Sequence, residues 1–418
     1  MTRIILSLAA CLSLFLSGPS LAKAVEQEIL TLSRVMELAA GTAPQVRLST
    51  TRVEESEARL AGARVRTLED PALDLGVGRR NGEELSTDLE VGLELPVEFW
   101  GRREKRVALA RADLDKERYL AEDVRRQAVS KAVAAYFRLL QARERFTLAQ
   151  GRWSLAEEVL RIAEERLQAG DAPKFEVNLA KTELARAASE IAAAQGQVAR
   201  ARASLAQSLG FSAGAPFEIK GDLDDRHYFD AVLQEPLDPK RPELLAARAE
   251  VEASEAAVAL AQAEQRPDVG LGLSFKREGD EEVVMAGVRF SLPFFNPRNE
   301  GPILEAKAQK RRAEILAETT RQEIATDIEG SSLAYEAAVE AARRMENEAL
   351  PLQEENERMA RESYRAGKIN LATLLQVRRE ALETRTEYLE RLLEAAEAGM
   401  SLASAVGAFF GTQPTTYQ

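Results

Sequence analysis

One cysteine and one histidine are the whole thiol and imidazole content of this 418-residue chain. Without cysteine pairs there is no disulfide framework, and without Cys–His or His–His spacing there is no zinc motif and no thiolate nucleophile. Cationic residues are outnumbered, 56 against 68 acidic ones, and the net charge of -12 argues against a nucleic-acid partner, whose phosphates need a basic surface. Aromatic residues are scarce at 6%, while 30% of the chain is charged. A glycine-rich phosphate loop is missing as well. Past the first residues no run of 18 apolar residues occurs, so no helical membrane span is encoded. What remains is an Ala-, Glu-, Arg- and Leu-rich chain suited to long amphipathic helices rather than to a compact enzyme. No catalytic residue, cofactor or metal site is assigned. The single histidine, His227, lies in "DDRHYFD" beside Asp224, Asp225 and Asp230. Such a cluster could hold a metal, but a residue hydrogen-bonded to its neighbour is the plainer reading.

What is present begins with a leader. Arg3 gives a positive n-region, Ile4 to Leu16 an apolar stretch, and Ala22-Lys23-Ala24 a small-x-small site, so residues 1–24 read as a secretory signal peptide. Cys11 sits in "LAAC", which resembles a lipoprotein box, and lipidation there is the alternative to cleavage near Ala24. With cleavage near Ala24 the exported chain has no cysteine.

The exported chain repeats itself at an offset of about 197 residues. "RVEESEA" (52–58) returns as "EVEASEA" (250–256), "LELPVEF" (93–99) as "RFSLPFF" (289–295), "RLQAGD" (166–171) as "SYRAGK" (363–368), and "ASLAQSLG" (203–210) as "MSLASAVG" (400–407). Composition bias does not put prolines and glycines at matching places. We expect a first repeat over 25–210, a collar over 211–239, a second repeat over 240–410 and a tail over 411–418. The first repeat reads as a helix near 42–68, strands 71–80 and 85–97, a long helix 101–168, a hairpin tip 169–174 and a helix to 210. The second reads as a helix 240–266, strands 267–277 and 282–294, a long helix 300–366, a tip 367–370 and a helix to 410. Steps of three and four from Ala110 and Leu114 through Ala128, Ala132 and Ala135 to Phe146 trace an alanine-rich coiled-coil seam. Each long helix spans roughly 100 Å at 1.5 Å per residue. The returning helices reach roughly 60 Å and need the shorter helices to complete them. Four columns result, two continuous and two spliced.

The strands alternate with period two. Leu89, Val91, Leu93 and Leu95 face one way, and Asp88, Glu90, Gly92 and Glu94 the other. Strands of this length, tilted, cross a bilayer with apolar side chains toward lipid and polar ones toward the lumen. Asp74, Asp88, Glu90 and Glu94 fall on the polar face, diluted by Lys276 and Arg289. A polar lumen lining of any kind would show this pattern; rings of carboxylates would in addition favour cations. Four strands cannot close, and lipid tolerates no open edge. Three copies give twelve strands, a barrel wide enough for an aqueous lumen. A four-stranded sheet packed on soluble helices is the alternative.

With the repeat, the strand-ending "LPVEFWGRR" and "LPFFNPRNEG" and the hairpin tips "RLQAG" and "YRAG", the chain resembles the TolC-type outer-membrane efflux channel family. Its junction motifs are most similar to the heavy-metal branch, the outer-membrane component of cobalt–zinc–cadmium type export systems. The resemblance implies a mainly α protein with a membrane β part: a homotrimer whose 12-stranded β-barrel in the outer membrane continues as a long α-helical barrel across the periplasm. It further implies a periplasmic adaptor (membrane fusion) protein docked at the tips and an inner-membrane proton-driven pump, so that the channel is a passive conduit for divalent heavy-metal cations. A duct for drugs or secreted polypeptides is the alternative, as is, from another class, a periplasmic coiled-coil adaptor. The docking tips match Arg166, Ala169, Gly170 and Asp171 in one hairpin and Tyr364, Ala366, Gly367 and Lys368 in the other. Some relatives narrow the tip with aspartates; the matching positions are Thr373 and Gln376, Ile369 replaces a gate arginine, and Glu176 is another candidate for an acidic ring, unless it is simply a solvated helix face.

Overall fold

The computed structural model describes residues 28–67, 69–81, 85–212, 214–224, 229, 241–279, 281–291 and 300–407. The leader with Cys11, His227, the second junction 292–299 and the tail 411–418 lie outside the described residues. In chain order the elements are β1 (Glu28–Leu30), α1 (Leu32–Thr42), α2 (Pro44–Ala63), β2 (Ala72–Asn81), β3 (Leu85–Val97), α3 (Arg102–Ala169), α4 (Lys174–Leu209) and β4 (Phe217–Ile219). Then come α5 (Pro242–Glu264), β5 (Val269–Glu278), β6 (Glu281–Phe290), α6 (Glu300–Arg344), a π turn (Met345–Ala349), α7 (Leu350–Arg365) and α8 (Leu371–Val406).

Helix α3 runs unbroken for 68 residues, about 100 Å. Its buried face changes partner along its length: α2 and α5 at the sheet end, α4 and α8 toward the tip. At mid-height Ala132 to Phe137 are all buried, because α1 and the collar wrap the helix there. The opposing column differs from the continuous helix expected over 300–366. It widens into the π turn just before Pro351. Proline has no N–H to donate and its ring crowds the carbonyl four residues back, and an extra residue in the turn relieves both problems.

The short columns are spliced at that same mid-height. The helix expected near 42–68 is α2, shortened to 44–63, and a separate helix precedes it that was not expected: α1 is capped by Thr31, whose hydroxyl accepts from Arg34 N–H at 3.3 Å, and the chain breaks at Ala43 because a residue before proline avoids the helical region. Helix α2 ends at Ala63. It continues the column of α4, where Thr42 Oγ1 donates to Leu209 O at 2.9 Å. Helix α5 continues α8: Arg241 Nη1 donates to Ala405 O at 2.9 Å. Arg126 of α3 locks this second splice, lying 2.7 Å from Asp123 and 2.9 Å from Glu243. Burial opposes ionisation of Glu243, yet Arg241 and Arg126 beside it hold its carboxyl below the usual range.

The collar residues that are described pack into the main core. Strands β1 and β4 pair in parallel, Glu28 with Phe217 through Leu30 with Ile219. At three residues each they carry no readable alternation. Phe217, Ile219, Leu223 and Phe229 are buried against α3 and α8. Tyr136 donates to Lys220 O at 2.8 Å and Arg143 to Ile219 O at 2.9 Å. Helix α8 makes room with Gly399, where a Cβ would stand 2.7 Å from the Phe229 ring.

Candidate functional site

The sheet at one end of the columns has the order β2-β3-β5-β6, all antiparallel, with β2 and β6 as its edges. Its register sets Asp74 opposite Gly92, Glu90 opposite Gly76 and Lys276, Asp88 opposite Gly78, and Glu94 opposite Gly272. Arg289 stands opposite Gly270. Asp74, Asp88, Glu90, Glu94 and Arg289 therefore share one face. Lys276 Nζ meets Glu90 at 2.9 Å, and Arg289 Nη1 reaches Glu94 at 2.6 Å. The second pair passes over β5, and glycine is what lets it pass: a Cβ on Gly270 would lie 3.0 Å from Glu94 Oε1.

The opposite face carries Leu73, Leu75, Val77, Leu89, Leu93, Leu271, Val284 and Val288, all exposed, Val77 at 75%. A contiguous bare face of this kind marks an interaction surface. The chain's own helices do not cover it, contrary to what a sheet packed on soluble helices would need. Among the described residues no helix is long and apolar enough to cross a membrane.

Where the sheet hands over to α3, "FWGRREKR" builds a joint that the periodicity did not announce. Trp100 and Gly101 both adopt positive φ, 68° and 67°, turning the chain sharply from strand to helix. For tryptophan this is strained backbone. It is held by Trp100 Nε1 donating to Pro267 O at 3.1 Å and by the Arg266 guanidinium 5.4 Å from the ring centre. Arg102 donates to Ala263 O at 3.2 Å and pairs with Asp268. Arg103 donates to Arg64 O at 2.8 Å, and Arg106 to Ala63 O at 3.2 Å while gripping both Glu98 oxygens at 2.7 and 2.8 Å. Three arginines on the first turns of α3 thus satisfy the orphan carbonyls where α2 and α5 end. The only signal in the sequence is the arginine cluster itself; its targets depend on where two distant helices stop.

At the far end, both hairpins turn on a left-handed glycine. Gly170 has φ 82° and Gly367 φ 70°. Asp171 N–H returns to Arg166 O and Lys368 N–H to Ser363 O, both at 2.8 Å. A Cβ at either glycine would meet nothing within 4 Å, so backbone conformation rather than crowding selects glycine. Pro173 leads into α4, and Asn370 caps α8 by accepting from Thr373 N–H at 2.9 Å. Ala169, Gly170, Asp171, Ala366, Gly367 and Lys368 are exposed on the tips.

Two residues grouped with those tips sit elsewhere. Tyr364 is 1% exposed, enclosed by Val177, Leu371 and Leu374 between the hairpins. Arg166 stacks over its ring at 5.1 Å and lies 3.7 Å from Glu176. Burial pushes the Tyr364 phenol up, so it stays neutral. The contact is made inside the molecule, between the two hairpins. Glu176 is likewise turned inward toward Arg166 rather than being a solvated helix face. Of the other narrowing candidates, Thr373 is engaged by the Asn370 cap, its hydroxyl 3.0 Å from Oδ1, and Gln376 is exposed and donates to Glu380 at 3.3 Å. Among the described residues no cluster of three or more His, Cys, Asp or Glu could hold a metal ion.

Comparison with known proteins covers most of the chain. Residues 19–211 and 237–408 match the family described as outer membrane efflux protein. The cobalt-zinc-cadmium resistance protein CzcC of Cupriavidus metallidurans is 26% identical over 385 residues, 90% of each chain. The solved structure of CusC superposes with a TM-score of 0.75 at 18% identity, covering 90% of this chain and 91% of that one. The Campylobacter jejuni CmeC outer membrane channel gives a TM-score of 0.75 at 18% identity, with 91% and 86% covered. At these identities the two structures speak for the fold.

Proposed function

The chain belongs to the outer membrane efflux protein family, and from that premise we propose that three copies form the outer-membrane duct of a tripartite system exporting divalent heavy-metal cations. The observation that carries this reading is the four-stranded sheet, with one bare apolar face, one charged face and two unpaired edges. Only closure with other copies satisfies those edges in lipid, and three chains with four strands each make a twelve-stranded barrel. The internal duplication supplies the even division, two strands and two columns from each half.

The cargo follows from the relative's name, a cobalt-zinc-cadmium resistance protein, and from the wall. Of Asp74, Asp88, Glu90 and Glu94 on the polar face, Glu90 and Glu94 are paired with Lys276 and Arg289, which leaves a mild cation preference suited to passage rather than capture. A periplasmic adaptor meets the exposed tips at Ala169, Gly170, Asp171, Ala366, Gly367 and Lys368, and an inner-membrane proton-driven pump supplies the work. Arg166, Tyr364 and Glu176 join the two hairpins just behind those tips; Thr373 and Gln376 line any narrowing beyond them.

The test has two arms. Cysteine pairs placed one on β2 and one on β6 should cross-link into a ladder ending at three chains; monomers alone at every pair would end the reading. In cells lacking their own channel, expression with the cognate pump and adaptor should lower accumulated zinc, cobalt or cadmium. Unchanged metal content with intact trimers would remove the cargo and keep the duct.

A further inference from the structure

Roughly 20 Å from the tips by helical rise, α3, α4, α7 and α8 enclose a cavity of about 390 Å³. That volume lies within the range of small-molecule sites. Its walls are largely apolar, with Leu148, Leu155, Leu375 and Leu382 prominent. The cations facing it are not equally satisfied. Arg152 is held by Glu183 at 2.7 Å and by Glu190, and Arg385 lies 3.5 Å from Glu357. Arg378 is different. It is 8% exposed, forms no ion pair with any carboxylate among the described residues, and makes one hydrogen bond, from Nη1 to Leu155 O at 3.3 Å. Its Nε has no acceptor, which is also true of Arg152, but Arg378 has no carboxylate in contact to offset it. Burial, with the like charges of Arg361 and Arg365 nearby, outweighs the attraction of Glu357 and Glu158 and pushes the guanidinium down from its ordinary value. A cation taken from water without a partner is destabilising until an anion joins it. The π turn ends at the same place, and Leu350, the residue after it, is part of the cavity wall; such turns gather at functional sites.

We propose that this cavity binds one small amphiphilic organic anion per chain, its acid group on Arg378 and its apolar body against the leucines. The ligand would touch α3 and α4 of the first hairpin and α7 and α8 of the second, so occupancy ties the hairpins together in the arrangement seen. That consequence for transport rests on the channel reading; the binding itself does not.

The experiment titrates anilinonaphthalene sulfonate into the full-length protein in lipid nanodiscs, with empty nanodiscs subtracted. We expect saturable binding at one site per chain, weakened about tenfold or more by Arg378→Gln and similarly by Leu382→Trp, which fills the space. The uncharged phenylnaphthylamine should bind more weakly than the sulfonate. Arg378→Gln should also leave the thermal midpoint unchanged or raised, because it removes an unpaired charge. No saturable binding to the wild type, equal affinity in wild type and both variants, or a lowered midpoint in Arg378→Gln would overturn the proposal. Since the readout is binding, its failure leaves the efflux reading standing, and failed metal export leaves the site standing.

Discussion

At the scale of the residue, the two faces of the sheet demand opposite chemistry from neighbouring positions. Val91 lies between Glu90 and Gly92 on β3, its side chain on the apolar face opposite Leu75 and Phe275. A lysine there should destabilise the assembled barrel by about 2–4 kcal/mol if the position is mid-membrane, measured by urea unfolding in lipid. Glu90→Gln removes the charge facing Lys276 but leaves the face polar, and it should assemble normally. Equal tolerance at both positions would reverse the facing. This alternation was legible in the sequence because period two needs only local information. The burial of Tyr364 was not: "YRAG" reads as a tip, and only the approach of Leu371, Leu374 and Val177 encloses the ring.

At the scale of the element, the splices do the work of covalent continuity. Where α8 ends and α5 begins, the Ala405 carbonyl receives the guanidinium of Arg241 and the Ser404 carbonyl that of Arg126, and Glu243 unites the two arginines. The Glu243 carboxyl is held below its ordinary value, so it adds stability above the unfolded-state pKa and loses it as pH falls through the folded one. Glu243→Gln should cost about 1–3 kcal/mol at neutral pH. The gap from wild type, read as thermal midpoints across an acid series, should close below the folded pKa. A gap that persists in strong acid would show that charge is not what Glu243 contributes. The hairpin turns had a local signal in Gly170 and Gly367, which take up the left-handed backbone that ends each helix; the π turn before Pro351 had only the proline. The break at Ala43-Pro44 had a local signal in the proline; the pairing of β1 with β4 did not, since three-residue strands are decided by the collar they join. The targets of Arg102, Arg103 and Arg106 were hidden for a similar reason, being carbonyls some 40 to 160 residues away in sequence.

At the scale of the whole molecule, the two ends are built to different rules. The tips offer open, exposed backbone at Gly170 and Gly367, with no atom near either glycine's missing side chain. A partner that needs close approach there would be blocked by bulk, while the proposed closure of three sheets lies at the opposite end of the columns. Gly170→Trp should therefore leave trimers intact by cross-linking and abolish metal export from cells; export at the wild-type level would remove the tip from the docking role. The same change is also strained by the left-handed backbone, so Gly170→Asn, which tolerates that conformation, should fall between the two.

The guanidinium ring around the ends of α2 and α5 has a mechanical corollary. Sheet and shaft are moored to each other there by side-chain grips on the helix ends, so a load on the tips should not swivel the sheet. Any bending should fall instead beyond the mid-height splices, where the π turn and the cavity beside it interrupt otherwise close-fitted rods.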